Sequence, residues 1–328
     1  MVLEKKLRLS WPGMIIPSLN SSLLETEDNS IAIEYFINEI LSIPELQDTL
    51  EVEMFFNTVP DVAERINLIK SESFEEIADK YEKLYSKITN NDFESLLTFK
   101  KIESLTDQFE KIYYGLKNFG KVLKIANNNY LLDKKAHFGF LKVLTFHENE
   151  TNKNFLGDNE KFLILSQCKG ELIDINKISE NPYEKITSDF EKEENLVYSL
   201  IQALYSLEDI YKRSNEIKKH LAVIDKRMKE MVNSKTNWLS YLTLQLPEQE
   251  FSQLQSDKLL IEVELSNITR IIKYSFSRLD TYIENIRINK ISNYYQNLMS
   301  ISEQTIKNIM VYQNYWNKVD EGYKKLST

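Results

Sequence analysis

The residues that could carry acid–base, nucleophilic or metal chemistry are few and scattered along this sequence. His137, His147 and His220 stand far apart, and none has a carboxylate at the spacing of a metal-binding helix. The seven glycines are isolated, so the sequence contains neither a phosphate-cradling loop nor a nucleophile elbow. Carboxylate pairs are frequent, but charged helix surfaces produce them without any catalytic purpose. We therefore predict a non-enzymatic protein with no catalytic residues, no metal, no cofactor and no small-molecule substrate.

The single cysteine and the net charge indicate the cellular location and the kinds of partner to expect. Cys168 alone cannot form an internal disulfide, which favours a reducing, cytoplasmic location, and we expect it to be a small buried residue. The net charge of −9 argues against nucleic-acid binding, which needs a dominant basic surface. No stretch approaches the ~20 apolar residues of a membrane span. Any membrane contact is therefore expected to be peripheral.

Basic residues are the side chains best suited to binding a partner. Residues 210–290 contain fourteen Lys or Arg and ten Asp or Glu, a local net charge of +4. Lys212, Lys219 and Lys226 recur every seven residues and so lie on one helix face. The predicted membrane-binding basic face consists of Lys212, Lys218, Lys219, Lys226, Arg227, Lys229, Arg270, Lys273 and Arg278. The alternative is an ordinary solvated face, because Asp225, Glu230, Asp280 and Glu284 lie among these bases.

The elements that must position these residues are long helices. The six prolines leave the windows 61–181, 183–246 and 248–328 free of proline, which favours long uninterrupted helices. Three segments, near 102–126, 207–231 and 251–319, carry apolar residues alternately three and four apart. Helices of about 50 to 70 residues would be ~75–105 Å long and could not bury their stripes alone. The predicted dimer and core seam of the first is Ile102, Leu105, Phe109, Ile112, Leu116 and Phe119.

Polar segments separate the three predicted helices. The polar segment from Asn149 to Asn154 is predicted to be a loop. Asn181 and Pro182 are predicted to be the cap and the first residue of the next helix. The segment 233–248 separates the second helix from the third. Its apolar residues could cap the helix ends or insert into lipid or a partner: Trp238, Leu239, Tyr241 and Leu242.

Two stretches resemble sorting nexins that join a PX domain to a BAR domain. The run Trp11-Pro12-Gly13-Met14-Ile15-Ile16-Pro17, with the helical segment 31–40 and the turn Ile43-Pro44-Glu45-Leu46, resembles the proline-rich loop and final helices of a PX domain. The stretch 291–319, with Tyr294-Tyr295 and Tyr315-Trp316, is similar to the last helix of these BAR domains.

The resemblance implies an all-α protein, because the PX sheet would have to precede Leu7. It implies a PX-like remnant over 1–60, an amphipathic linker helix over 61–80 and a BAR domain over 81–328. The linker helix could insert into a bilayer or pack between its neighbours. The BAR domain would be three long antiparallel coiled-coil helices in an elongated dimer.

The predicted remnant departs from the family's lipid-binding pattern. Residues 18–24 contain no base, Ile31 stands where the family has a phosphate-clamping arginine, and residues 1–60 carry a net charge of −7. Either the chain is a fragment of a longer protein, or this segment serves packing or partner binding.

The function implied is curvature sensing and membrane remodelling in endosomal protein sorting. The chain would bind an anionic membrane surface peripherally, as a homodimer or as a heterodimer with another, phosphoinositide-binding sorting nexin. The alternative is a coiled-coil tethering protein that never shapes membranes.

Overall fold

All regular structure in the described part of the chain is helical. The computed structural model describes residues 2–18, 29–57, 61–85, 99–156, 164–168, 181–235 and 246–327. Six short helices come first: α1 Val2–Ser10, α2 Asn29–Leu41, α3 Pro44–Gln47, α4 Leu50–Phe56, α5 Val62–Leu68 and α6 Phe74–Tyr85. The rest of the chain forms α7 Phe99–Leu156, the short α8 Ile164–Gln167, α9 Glu184–Lys235 and α10 Leu246–Ser327. The predicted all-α class with three long helices is confirmed.

The three long helices begin and end close to the sequence signals, with one exception. The Asn181 side chain accepts a hydrogen bond from the Tyr183 N–H (3.0 Å), but α9 begins at Glu184, two residues after the predicted first residue, Pro182. Residues 149–154, predicted to be loop, are helical instead, and α7 ends at Leu156. Polar residues have only slightly lower helix propensity than apolar ones, and the next glycine is Gly157, so nothing in this stretch stops the helix. Trp238 to Leu242 lie outside the described residues.

The segment 61–80, predicted to be one helix, contains α5 and the start of a second helix, α6. Ser73 and Glu76 form a capping box: the Ser73 hydroxyl accepts from the Glu76 N–H (3.3 Å), and the Ser73 N–H donates to the Glu76 carboxylate (2.6 Å). The hydrogen bond from the Ser73 backbone lowers the pKa of Glu76. Because this box satisfies backbone groups at a helix start, a new helix begins at Phe74.

The chain divides into two compact units. The first comprises residues 1–113 and 195–286, and the second comprises residues 114–194 and 287–328. Each unit therefore contains part of each long helix, and the six short helices belong to the first. The domain boundaries at 60 and 80 stay a prediction.

In the first unit, the N-terminal helices pack around one apolar core and onto α10. Leu7, Ile16, Ile40, Leu46 and Ile66 are each at most 1% exposed. The Pro12 carbonyl accepts hydrogen bonds from the Tyr81 hydroxyl (2.8 Å) and the Ser275 hydroxyl (2.9 Å). The proline-containing segment after α1 is thereby fixed to both α6 and α10.

The long helices of the first unit run antiparallel to their neighbours. Arg213 pairs with Glu264 (3.2 Å) and Asp225 with Lys258 (2.8 Å), so residue numbers rise along α9 as they fall along α10. The ring of Phe99 lies 5.6 Å from that of Tyr211, and Glu110 accepts from the Tyr205 hydroxyl, which gives α7 and α9 the same antiparallel relation.

The second unit has its own core, built from α7, α8 and α10. Its buried members are Leu141, Ile164, Leu165, Cys168, Tyr315 and Val319. Cys168 is 7% exposed, as expected of a small buried side chain. Here too α7 and α9 are antiparallel, since the ring of Phe119 lies 4.8 Å from Phe190 and that of Tyr130 lies 6.2 Å from Tyr183.

Candidate functional site

Six of the nine predicted membrane-binding residues lie on exposed positions of α9 in the first unit. Lys212, Lys219 and Lys226 each lie two residues from a buried position, Ser214, Ile217 and Ile224 respectively. Two residues turn an α-helix by about 200°, so these lysines point away from the core. Lys218, Arg227 and Lys229 are also exposed. The set is thus accessible, but it spreads around the outer half of the helix.

Acidic neighbours reduce the positive electrostatic potential of this basic face. Lys212 pairs with Glu208 (2.7 Å) and Asp209 (3.8 Å), and Lys226 pairs weakly with Glu230 (3.9 Å). The hydrogen bond with Glu208 raises the pKa of Lys212. Among the described residues, the other four predicted membrane-binding bases on α9 make no ion pair: Lys218, Lys219, Arg227 and Lys229. These four are the bases most available to an anionic surface.

The two arginines predicted for the same face on α10 bind other parts of the first unit. Arg270 forms ion pairs with Asp79 (2.8 Å) and with Glu82, both on α6. Because acids of α6 already neutralise it, Arg270 contributes little to attracting an anionic lipid. The sequence did not show this pairing, since the partners lie almost 200 residues away.

Arg278 is held in a partly buried network. Its guanidinium pairs with Glu45 (3.0 Å), lies 5.0 Å from the centre of the Tyr85 ring and donates to the Tyr85 hydroxyl. That hydroxyl donates in turn to Glu45 (2.9 Å), and burial raises the pKa of Tyr85. Arg278 therefore connects α3 and α6 to α10. Lys273 is half-buried, with its ammonium 5.9 Å from the Tyr274 ring centre.

The predicted seam on α7 lies mostly in the core of the chain itself. Ile102, Leu105, Phe109 and Leu116 are 0 to 8% exposed, and Ile112 is half-buried. Phe119 is 44% exposed. Four of the six side chains are thus buried within one chain, and the contact of this seam with a second chain stays a prediction.

An exposed apolar stripe on α10 of the second unit was not singled out from the sequence. Its members are spaced seven, four, seven and four residues apart, which keeps them on one helix face, and each is 54 to 70% exposed: Ile288, Tyr295, Met299, Ile306 and Met310. Asn308, Tyr315 and Val319, on the opposite face, are buried. The spacing was visible in the sequence, but spacing alone does not tell which stripe faces inward.

A second exposed apolar stripe lies on α7 of the same unit. Its members are 56 to 65% exposed and share one face: Val122, Ile125, Leu132, Phe140 and Val143. Leu116, Leu123 and Leu141, on the other face of α7, are buried. Isolated exposed apolar residues are common on protein surfaces, whereas contiguous apolar faces mark sites of association. We call the two sets the α10 stripe and the α7 stripe.

The second unit also contains a carboxylate whose burial can be tested by titration. Glu194 is 9% exposed, its Oε1 is buried without a hydrogen-bond partner, and burial raises its pKa, with Lys117 and Lys124 acting in the opposite direction. Above the ordinary pKa of 4.5 the unfolded chain releases this proton before the folded chain does, so the residue destabilises the fold as pH rises.

Replacing Glu194 with Gln should therefore stabilise the protein at pH 7, and the gain should shrink towards zero as pH falls below about 4.5. Melting temperatures of both proteins from pH 3.5 to 7.5 measure this difference. Glu103→Gln, at an exposed position of α7, is the control for the loss of one surface carboxylate. A gain for Glu194→Gln that is independent of pH would contradict the assignment.

Metal and membrane-span searches give negative results over the described ranges. No three His, Cys, Asp or Glu side chains there come together in a group that could hold a metal ion. No described helix combines the length and the apolar content that crossing a bilayer requires.

Comparisons with known proteins include a structural likeness. No protein-family model and no curated protein sequence matches the chain. The chain is similar to a solved structure described as "The cryo-EM structure of the SNX-BAR Mvp1 tetramer", at 15% sequence identity and a TM-score of 0.49. That alignment covers 97% of this chain and 86% of the other.

Proposed function

We propose that this protein is a non-enzymatic scaffold that associates through its second unit and binds anionic membranes through its first. The observation that carries the proposal is the pair of apolar stripes on α7 and α10. Ten apolar side chains that are more than half exposed lie on one face of α7 and one face of α10. Burying such faces against a second polypeptide is the main favourable contribution to association.

The proposed occupant of these stripes is a second copy of the same chain. A homodimer with two-fold symmetry presents the same patch on both subunits, so an apolar face that is continuous along a helix is complementary to itself. Both stripes show near-heptad spacing, which suits helix-to-helix packing. A heterodimer with a related chain is the other outcome, and a mass measurement on the purified protein separates the two.

The proposed membrane contact is the exposed basic set on α9. Each Lys or Arg near an anionic surface contributes ~1 kcal/mol, which is too little for one residue to hold a protein on a membrane. A dimer presents the set twice and so gains from multivalency. The interspersed acids limit this attraction, so we expect binding to depend strongly on the fraction of anionic lipid and on salt.

The wider role that we propose follows from the resemblance to PX-BAR sorting nexins: remodelling of endosomal membranes in protein sorting. The acidic segment 1–60, with a net charge of −7, is poorly suited to binding a phosphoinositide. A phosphoinositide-binding partner would then supply the targeting. The competing function, a coiled-coil tether, predicts association without any affinity for lipid.

Charge reversal separates these two functions. The triple variant Lys219→Glu, Lys226→Glu and Arg227→Glu should lose most of its cosedimentation with anionic liposomes and keep the dimer mass. The matched control reverses three exposed lysines outside both stripes and outside α9, with the same change in net charge: Lys5, Lys70 and Lys83. The control should retain binding. Equal loss in both variants, or no liposome binding by the unmodified protein, would refute the membrane role.

A further inference from the structure

A cavity of about 330 Å³ lies in the second unit, between α7, the start of α9 and α10. Its wall contains five aromatic rings: Tyr130, His137, Tyr183, Tyr312 and Trp316. The volume is at the small end of the range of about 300–1,000 Å³ that ligand pockets occupy. This cavity is large enough for a small organic molecule, and neither the basic face nor the apolar stripes explain it.

The aromatic wall is arranged in nearly perpendicular pairs. The rings of Tyr130 and Tyr183 are 6.2 Å apart at 72°, and those of His137 and Tyr312 are 4.9 Å apart at 86°. Ring planes in different orientations allow a compact ligand to meet aromatic groups on several sides. A flat stacking ligand would be favoured instead by parallel planes. The geometry thus suits a roughly spherical group.

Hydrogen bonds hold part of this wall in place. The Asn308 side chain, 6% exposed, donates to the Tyr130 hydroxyl (2.8 Å) and accepts from Gln304 (3.2 Å). Pro182, also buried, restricts the backbone beside Tyr183. Because these contacts are made within the chain itself, less ordering has to accompany binding.

Charged groups at the cavity indicate the class of ligand. Asp133 and Lys134 both line it, and they bring opposite charges close to the aromatic wall. Tyrosine and tryptophan rings attract ammonium groups through their electron-rich faces, and quaternary ammonium ligands are characteristically held in this way. Asp133 adds an attraction for the same cation, whereas Lys134 suits an anionic group on the same ligand.

We propose that this cavity binds phosphocholine, with the quaternary ammonium against the tyrosines and Trp316 and the phosphate towards Lys134. The ligand could be free phosphocholine or the headgroup of phosphatidylcholine, since both offer the same chemistry. Trp316, 42% exposed, stands at the opening. The site is independent of the basic face of α9.

The test uses this chain, residues 1–328, and isothermal titration calorimetry with phosphocholine. We expect saturable binding, weakened at least tenfold by Trp316→Leu and severalfold by Asp133→Asn. Asp133 is exposed, so its substitution should leave the fold intact, and Asp209→Asn on α9 is a matched exposed control with no expected effect. Circular dichroism and mass measurements exclude unfolding of the Trp316 variant as the cause of lost binding.

A second probe tests the charge directly. In 3,3-dimethylbutyl phosphate a carbon replaces the ammonium nitrogen, so shape is kept and the positive charge is lost. At least tenfold weaker binding of this probe supports cation recognition. No saturable binding of phosphocholine, equal affinity for the probe that lacks the ammonium charge, or an unchanged Trp316→Leu variant would overturn the proposal.

Vesicles of pure phosphatidylcholine identify the source of the ligand. Their net charge is zero, so they give the basic face little to bind. Sedimentation of the unmodified chain but not of Trp316→Leu assigns the site to a lipid headgroup. Binding of the free compound without vesicle binding assigns it to soluble phosphocholine. Anionic liposomes prepared without phosphatidylcholine test only the α9 face, so the two proposals can fail separately.

Discussion

Replacing Ile306 and Met310 with glutamate should convert the dimer into a monomer. The two residues are 54% and 58% exposed in the single chain and lie in the middle of the α10 stripe. In a symmetric dimer each substitution occurs twice, so four carboxylates would be buried without partners. A buried unpaired charge costs about 3–5 kcal/mol, so the dissociation constant should rise by roughly a hundredfold or more.

Light scattering coupled to size-exclusion chromatography measures this change at micromolar protein. The matched control is Leu259→Glu with Val263→Glu, since these residues are 58% and 55% exposed but lie in the first unit. The control protein should remain dimeric. Monomeric mass for the unmodified chain, or dimer mass for the stripe variant with intact circular dichroism, would show that the stripe is not an interface.

Replacing Gly13 with valine should destabilise the first unit by about 2–4 kcal/mol. Gly13 has a φ of +77°, a conformation that costs an L-residue about 1–2 kcal/mol and a β-branched one more. A Cβ added here would also lie 2.8 Å from the Ser275 Cβ, a distance that forces the backbone or Ser275 to move. Ser275 is 1% exposed and donates to the neighbouring Pro12 carbonyl, so it has little room to move.

Urea unfolding followed by circular dichroism measures this loss as a lower midpoint. Gly115→Ala is a control that should change stability in the opposite direction. Gly115 lies inside α7, and an added Cβ there meets no atom within 4 Å. That change should stabilise the helix by about 0.5–1 kcal/mol. If Gly13→Val unfolds at the same urea concentration as the unmodified protein, the close packing of this segment on α10 is wrong.

The helical architecture was largely predictable from the sequence, because it depends on local physics. A missing proline or glycine acts within one turn of helix, so proline-free windows with a three-and-four spacing of apolar residues predicted three long helices. The start of α9 was predicted in the same way to within two residues, since Asn181 and Pro182 lie just before Glu184. The capping box at Ser73 and Glu76 was also present in the sequence, but it was overlooked in favour of a continuous helix over 61–80.

The use of each helix face could not be predicted in the same way. A stripe at heptad spacing looks the same whether it packs inside the chain, as Leu105 and Phe109 do, or faces outward, as Ile306 and Met310 do. The direction depends on which other helices cover that face. Those contacts join residues far apart in the sequence, and no local pattern encodes them.

The charged residues show the same division between local and distant information. The sequence by itself determined that bases recur along α9 and α10, since that is a matter of residue type and helical period. Only the tertiary structure decided that Arg270 and Arg278 bind Asp79, Glu82 and Glu45, while Lys219 and Arg227 stay exposed. The aromatic cavity likewise exists only because folding brings residues 130, 183 and 316 together. Helix formation follows from interactions within a few residues, whereas a binding surface follows from which distant residues the packed helices leave uncovered.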